Sequence, residues 1–323
     1  MARSVDRATP TFLAMTAPSS PPPPPGAHGG DGAAIARWLG VGVDDVLDLS
    51  ASLNPFAPDV AALVAAASPS VGRYPDPTAA TGLLAEAMGV DPDWVVLANG
   101  GAEAIALVAA VEPVGWIEAP EFALYERHLA ELRESAPRWR SNPSSPGGRL
   151  APADEVAGVW DEAFFPLATG RWTRGDDEAW RLGSLTKLWA CPGLRLGYVI
   201  APDGERAEAL RARQPQWSVG SLALAVLPDL LAATDLHGWA EQIAAQRTRL
   251  RDELSTRGLP VHDTDAPWVL VEANGLRERL APAGVVVRDC ASFGLAGTAR
   301  IAVPDDDGLE RLLAALDGTD RRR

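Results

Sequence analysis

Lys187 sits among small hydroxyl residues in Gly183-Ser184-Leu185-Thr186-Lys187, and eight positions later comes Arg195, within Gly193-Leu194-Arg195-Leu196-Gly197. An amine in that setting can condense with an aldehyde, and the hydroxyls and the guanidinium can hold a phosphate on the same molecule. Pyridoxal phosphate carries both groups. A lone lysine is more often a solvated residue near a turn, so the rest of the chain has to carry this reading.

Three further features suit the same chemistry. Ala98-Asn99-Gly100-Gly101-Ala102-Glu103 follows an apolar run and opens a helical pattern. Free amides at a helix start bind phosphate, and glycines allow close approach. Asp161-Glu162-Ala163-Phe164 ends another apolar run, Val156 to Trp160. A carboxylate there can pair with a pyridine nitrogen and keep it protonated, which makes the ring an electron sink. Phe122, just after Pro120, can stack on a ring face. Taken singly, each has a plainer reading: an ordinary turn, a helix cap or solvated acid pair, a core aromatic.

The elements that must position these residues alternate. Trp94 to Leu97, Val114 to Ile117, Val156 to Trp160 and Tyr198 to Ile200 read as short buried strands between helices. That pattern predicts an α/β fold with a mostly parallel sheet, whose ligands bind at the strand ends. The C-terminal part differs. Glu241 to Arg257 reads as an amphipathic helix, Val285 to Val287 and Ile301 to Val303 as strands. Asp305 to Asp307 caps a last helix with Leu309, Leu312, Leu313 and Leu316 on one face. The division expected is a disordered proline-rich tail over 1–25, an N-terminal arm over 26–56, a large cofactor-binding domain over 57–203 and a smaller α+β domain over 204–323.

Composition narrows the function class. A formal net charge of -14 leaves no basic face for nucleic acid. No run of about 18 apolar residues predicts a membrane span. Two cysteines, Cys191 and Cys290, form no disulfide framework, so a reducing cytoplasm is the expectation. The histidines show no metal-ligand spacing, and no metal is expected.

Taken together, these motifs resemble the fold-type I pyridoxal-phosphate enzymes of the aminotransferase class I/II group. Within it the chain is most similar to the threonine-phosphate decarboxylases of cobalamin biosynthesis, kin to the histidinol-phosphate aminotransferases. The matching stretches, beyond those above, are His28-Gly29-Gly30, Asp48-Leu49-Ser50-Ala51-Ser52-Leu53-Asn54-Pro55, Arg73-Tyr74-Pro75-Asp76-Pro77 and Val287-Arg288-Asp289-Cys290 with Ser292-Phe293. The His-Gly-Gly start and the Arg-Asp-Cys stretch favour the decarboxylase branch. The resemblance implies that Lys187 carries the cofactor and Asp161 holds its ring nitrogen. It implies that Gly100, Gly101, Ala102, Ser184, Thr186 and Arg195 cradle the phosphate, with Phe122 and Ser145 on the ring. Tyr74 would reach the cofactor phosphate of a neighbouring subunit, which implies a homodimer. Arg300 would bind the substrate carboxylate, and His28, Gly29, Asn54 and Arg288 would lie about the rest of a small phosphorylated amino-acid substrate.

The chain departs from the pattern in places. Ser145, in Asn142-Pro143-Ser144-Ser145-Pro146-Gly147-Gly148, stands where the family has an asparagine. Gly220 replaces another asparagine, and Asp31 a third. Phe122 to Ser145 is 23 positions and Gly148 to Asp161 is 13. A βαβ unit takes roughly 30 residues, so one strand or helix of the large domain is expected to be missing or shortened. Three readings stay open: decarboxylation of L-threonine O-3-phosphate, amino transfer on histidinol phosphate or an aromatic amino acid, and a trimmed relative that binds without turnover.

Overall fold

The computed structural model describes residues 18–26 and 28–320. The N-terminal elements are α1 (Gly32–Leu39), β1 (Leu47–Asp48), α2 (Val60–Ala67) and α3 (Thr78–Met88). The next stretch holds β2 (Val95–Asn99), α4 (Gly100–Val111), β3 (Val114–Ile117), α5 (Leu124–His128), β4 (Glu131–Leu132) and β5 (Arg138–Ser141). Then come β6 (Val159–Asp161), α6 (Phe165–Thr169), β7 (Trp180–Gly183), α7 (Leu185–Leu188), β8 (Leu196–Ile200), α8 (Gly204–Arg211) and α9 (Ser221–Ala232). The C-terminal part has α10 (Leu236–Thr256), β9 (Val261–His262), β10 (Trp268–Glu272), α11 (Leu276–Leu280), β11 (Val285–Val286), β12 (Arg288–Asp289), β13 (Thr298–Ala302) and α12 (Asp306–Asp320).

Seven strands form the large sheet, in the order β2-β8-β7-β6-β5-β3-β4. β8 runs antiparallel to both neighbours, and the other pairings are parallel. This is the expected α/β architecture. All seven strands are present, so of the expected missing or shortened strand or helix, the loss of a strand is ruled out and the shortening of helices is found. The short spacings are absorbed by the connections instead. α5 has five residues, β4 has two, and the crossover from β5 to β6 contains no helix.

Helices cover both faces of this sheet. Leu84 of α3, Val226 and Leu230 of α9 and Trp189 pack on one side. Ile105 and Val108 of α4, Tyr125 of α5 and Leu210 of α8 pack on the other. Thus α8 and α9, which follow Asp203, join the large-sheet cores. α10 bridges the two parts: Trp239 and Ile243 belong to the large-sheet core, Leu250 and Leu254 to the small one.

The smaller sheet is antiparallel, in the order β12-β13-β10-β9. Its core includes Leu309 and Leu312 of α12, both fully buried. Each such leucine contributes roughly 1.5–3 kcal/mol. Asp305 Oδ1 accepts the Gly308 N–H at 2.8 Å and so caps α12. β1 pairs in parallel with β11, which ties the N-terminal arm to the C-terminal part.

The expectation of a disordered tail is corrected for Pro18 to Pro25, while 1–17 lie outside the described residues. The proline run leaves its carbonyls free of internal partners, and side chains take them up. Trp38 Nε1 donates to Ser20 O at 3.2 Å, and Arg277 Nη1 to Pro23 O at 2.9 Å.

Candidate active site

The ends of β2, β5, β6 and β7 open on one pocket, to which β12 and β13 contribute Arg288 and Arg300. His28, Gly101, Ala102, Phe122, Ser145, Asp161, Ser184, Thr186, Lys187, Arg195, Arg288 and Arg300 all line it. Residues up to 272 positions apart in sequence thus meet at one site.

Lys187 lies on the single turn of α7, where the chain leaves β7. Its Nζ is 3.4 Å from Ala51 O and 5.9 Å from the Phe164 ring centroid. Burial, followed by the nearby charges of Arg300 and Arg195, lowers its pKa to about 8, against the pull of Asp48. A neutral amine is the nucleophilic form.

A phosphate-sized cradle lies beside it. Gly100 starts α4 directly after β2, at φ +73, and a Cβ there would stand 2.4 Å from Arg195 Nη2. Only glycine gives both the left-handed turn and the close approach of the guanidinium. Arg195 Nη2 also bonds Asn99 O at 3.4 Å. Ser184 Oγ and Thr186 Oγ1 are 2.9 Å apart. Glu103 Oε2 accepts the Asn99 N–H at 2.7 Å, which fixes the start of the helix.

Asp161 ends β6. Its Oδ2 accepts the Tyr125 phenol proton at 2.7 Å, and its Oδ1 the Ala163 N–H at 3.0 Å. Burial raises its pKa, and these two donors oppose the rise. A protonated ring nitrogen on the remaining lone pairs would favour the ionised form further. Phe122 lies at the pocket wall, with the His28 ring edge-on at 5.6 Å. Burial, then Arg288 and Arg127, lowers the His28 pKa.

Two arginines face this pocket from the small sheet. Arg300 is 7% exposed, its guanidinium stacks 4.8 Å over the Trp268 ring, and its Nε has no partner among the described residues. Arg288 Nη1 donates to Gly26 O at 2.9 Å and Nη2 to Ser292 Oγ at 3.0 Å.

Four of the expected residues do not line the pocket. Gly100 forms the helix start just described. Asn54 is buried and braces α7: its Nδ2 donates to Leu188 O at 2.9 Å and its backbone N–H to Lys187 O at 3.1 Å. Gly29, at φ +75, lets the His-Gly-Gly turn pass the Ser50 carbonyl, and the Gly30 N–H donates to Ser50 Oγ at 2.8 Å. Tyr74 is 80% exposed and stacks on Trp217, with ring centroids 4.7 Å apart.

Sequence reasoning missed Tyr125, Ser141 and Phe164, which also line the pocket. Tyr125 follows Phe122 by three positions, one helical turn, which is a usable signal. Ser141 gives none, being a polar residue in a strand.

These observations fit pyridoxal phosphate: a buried amine, an anion cradle that a Cβ would fill, and a carboxylate with lone pairs turned to the pocket. Comparison with known proteins agrees. The model of the family "Aminotransferase class I and II" matches residues 139–316. The chain is 30% identical to the threonine-phosphate decarboxylase of Salmonella typhimurium, over 90% of this chain and 95% of that protein. It is 28% identical to the histidinol-phosphate aminotransferase of Halorubrum lacusprofundi, over 88% and 92%. Among solved structures, histidinol-phosphate aminotransferase from Sinorhizobium meliloti in complex with pyridoxal-5'-phosphate superposes with a TM-score of 0.77, at 18% identity over 99% of both chains. L-threonine-O-3-phosphate decarboxylase from Porphyromonas gingivalis gives 0.73, at 20% identity over 85% of this chain and all of that one. The chain belongs to the class I and II aminotransferase family and has the fold of its pyridoxal-phosphate enzymes. It is an enzyme of that family.

Proposed function

We propose that this protein is a pyridoxal-phosphate enzyme that decarboxylates L-threonine O-3-phosphate to (R)-1-amino-2-propanol O-2-phosphate, a building block for cobalamin. The observation that carries this reading is the pair Arg288 and Arg300, side by side on β12 and β13 and across the pocket from Lys187. Two cationic groups suit a substrate with two anionic ones. Arg300, buried and with its Nε unpartnered, suits the carboxylate. Arg288 with His28 suits the phosphate.

Bound pyridoxal phosphate supplies an electrophilic carbonyl for the substrate amine and a ring that takes up the electron pair left at Cα. Gly101, Ala102, Ser184, Thr186 and Arg195 hold its phosphate, and Asp161 accepts the ring N–H. Arg300 would hold the substrate carboxylate and so favour the bond to CO₂ as the one that breaks. Lys187 Nζ then returns a proton to Cα. Ser145 is shorter than the asparagine of the family pattern, so it would reach a bound cofactor's ring hydroxyl through water.

The enzyme works as a homodimer on this reading. Tyr74 lies outside its own pocket, and with Trp217, 58% exposed and stacked on it, forms an uncovered aromatic face. A second copy would cover that face and receive Tyr74 near its cofactor phosphate. No described helix is long and apolar enough to cross a membrane. Cys191 and Cys290 are free, buried thiols, which supports a reducing cytoplasm.

Amino transfer is the second reading, supported by the histidinol-phosphate aminotransferase relatives. The test gives the loaded protein L-threonine O-3-phosphate, L-threonine, or histidinol phosphate with 2-oxoglutarate. Amino-alcohol phosphate from the first alone supports decarboxylation. Glutamate formed from the third replaces that reading with amino transfer.

A further inference from the structure

Glu121 stands behind the pocket wall, one residue before Phe122, with its side chain only 4% exposed. Its Oε1 accepts the Ser141 N–H at 3.1 Å, and its Oε2 accepts the Ser141 hydroxyl proton. Ser141 Oγ in turn accepts the Ser145 N–H at 2.7 Å. The same hydroxyl lies against the Tyr125 phenol, whose proton goes to Asp161. One serine therefore joins a buried carboxylate to the turn that carries Ser145 and to the partner of Asp161.

The charged and titratable groups facing Glu121 are Arg140 on β5, 3.7 Å away, Asp161 on β6 and Tyr125 on α5. Arg140 is shared, since its Nε donates to Glu155 at 2.9 Å. Glu121 thus shares its counterion with Glu155 at the longer distance, and a buried charge held in that way is costly.

We propose that Glu121 is a positioning residue that acts through Ser141 on both the Ser145 turn and the Tyr125–Asp161 pair. This rests on reading the pocket as a pyridoxal-phosphate site. Ser141 has a single hydroxyl proton. While Glu121 is ionised, that proton points to Glu121. Once Glu121 is protonated, its own O–H donates to Ser141 Oγ, and the serine proton turns to the phenol oxygen. The phenol becomes a stronger donor to Asp161, and a negative charge near Asp161 disappears. Both changes make Asp161 a weaker base, so it holds a ring proton less firmly. Burial, opposed by Ser141 and Arg140, raises the Glu121 carboxyl to about 7, so the exchange falls within an ordinary pH range.

The test titrates the visible absorbance of the cofactor-loaded protein from about pH 5 to 9, alongside steady-state kinetics and thermal melting. The native protein is expected to show an inflection near 7. Glu121→Gln keeps the shape and an acceptor for Ser141, and should lose the inflection while still loading cofactor. Its kcat should fall about three- to tenfold, the size of a net hydrogen bond, with KM little changed. Glu162→Gln is the control, because Glu162 is also raised to about 7 and also lies near Asp161, but its hydrogen bonds go to the Thr173 hydroxyl and the Arg174 amide rather than to Ser141. It should keep the inflection. Should Glu121→Gln melt far below the native protein, Ser141→Ala tests the same link: it removes the relay but keeps the Glu121 charge, so the inflection should shrink and move to higher pH. An inflection that persists in Glu121→Gln, one that is unchanged in size and position in Ser141→Ala, or one that vanishes in Glu162→Gln, overturns the proposal. A native protein that takes up no pyridoxal phosphate overturns the cofactor reading itself.

Discussion

Arg288 and Arg300 are direct register partners on the antiparallel strands β12 and β13, and both line the pocket. Like charges placed opposite each other on a sheet repel. Arg288 is tied to Gly26 O and Ser292, and Arg300 lies over Trp268. On the proposed reading, a doubly anionic substrate would relieve that repulsion.

Replacing Arg300 by Gln removes the group assigned to the carboxylate. A hydrogen bond to a charged group is worth about 1.5–3 kcal/mol, so kcat/KM should fall about 10- to 150-fold. The melting temperature should hold or rise, because the repulsion with Arg288 is gone. Kinetics and calorimetry on the same preparation check both halves.

Lys187→Ala should abolish turnover and leave weak cofactor binding through the phosphate cradle. In the native protein without cofactor, the rate of loading should rise with pH around the midpoint near 8 set for this amine, because only the neutral amine attacks the aldehyde. Stopped-flow absorbance over a pH series measures this. A rate that is flat through that range would place the reactive amine elsewhere.

Gly100→Ala forces a Cβ onto a residue at φ +73 and into Arg195 Nη2. The left-handed conformation alone costs about 1–2 kcal/mol, and the guanidinium must also move. Cofactor affinity should drop about tenfold or more. Equilibrium dialysis of pyridoxal phosphate gives the number.

Ser145→Asn restores the longer side chain at a pocket-lining position. One net hydrogen bond is worth about 0.5–1.5 kcal/mol, so cofactor should bind about two- to tenfold more tightly. Unchanged affinity would mean that the side chain at 145 does not reach the ring.

Glu162 gives a pH dependence of stability. It is fully buried, and burial raises its carboxyl from 4.5 to about 7. Between those values the folded state binds more protons than the unfolded chain, so this group's contribution falls as pH rises from about 4.5 to 7. Glu162→Gln should therefore melt above the native protein at pH 8, with the gap closing toward pH 5. Melting curves over that range check the sign.

Much of this arrangement was legible in the chain. Lys187, Asp161 and the Gly100-Gly101 turn announce themselves by residue type and order, and β2, β3 and β8 are apolar runs. The central strands β5 and β7 were not visible, for a physical reason. Each carries a buried arginine, Arg140 paired with Glu155 and Arg181 with Asp177. Pairing lets a charge sit in a sheet interior, and hydropathy alone then misses the strand. The expectation of a missing or shortened strand or helix could not say which, because residue spacing does not reveal how short a connection can be. Tyr125 and Ser141 matter through contacts with residues brought close only by folding.

The most direct test of the central claim is release of CO₂ from L-threonine O-3-phosphate by the cofactor-loaded protein. The account predicts CO₂ and (R)-1-amino-2-propanol O-2-phosphate in equal amounts, with no amino acceptor required. Substrate binding to the cofactor without CO₂ release, or product formed only when a keto acid is supplied, would contradict it.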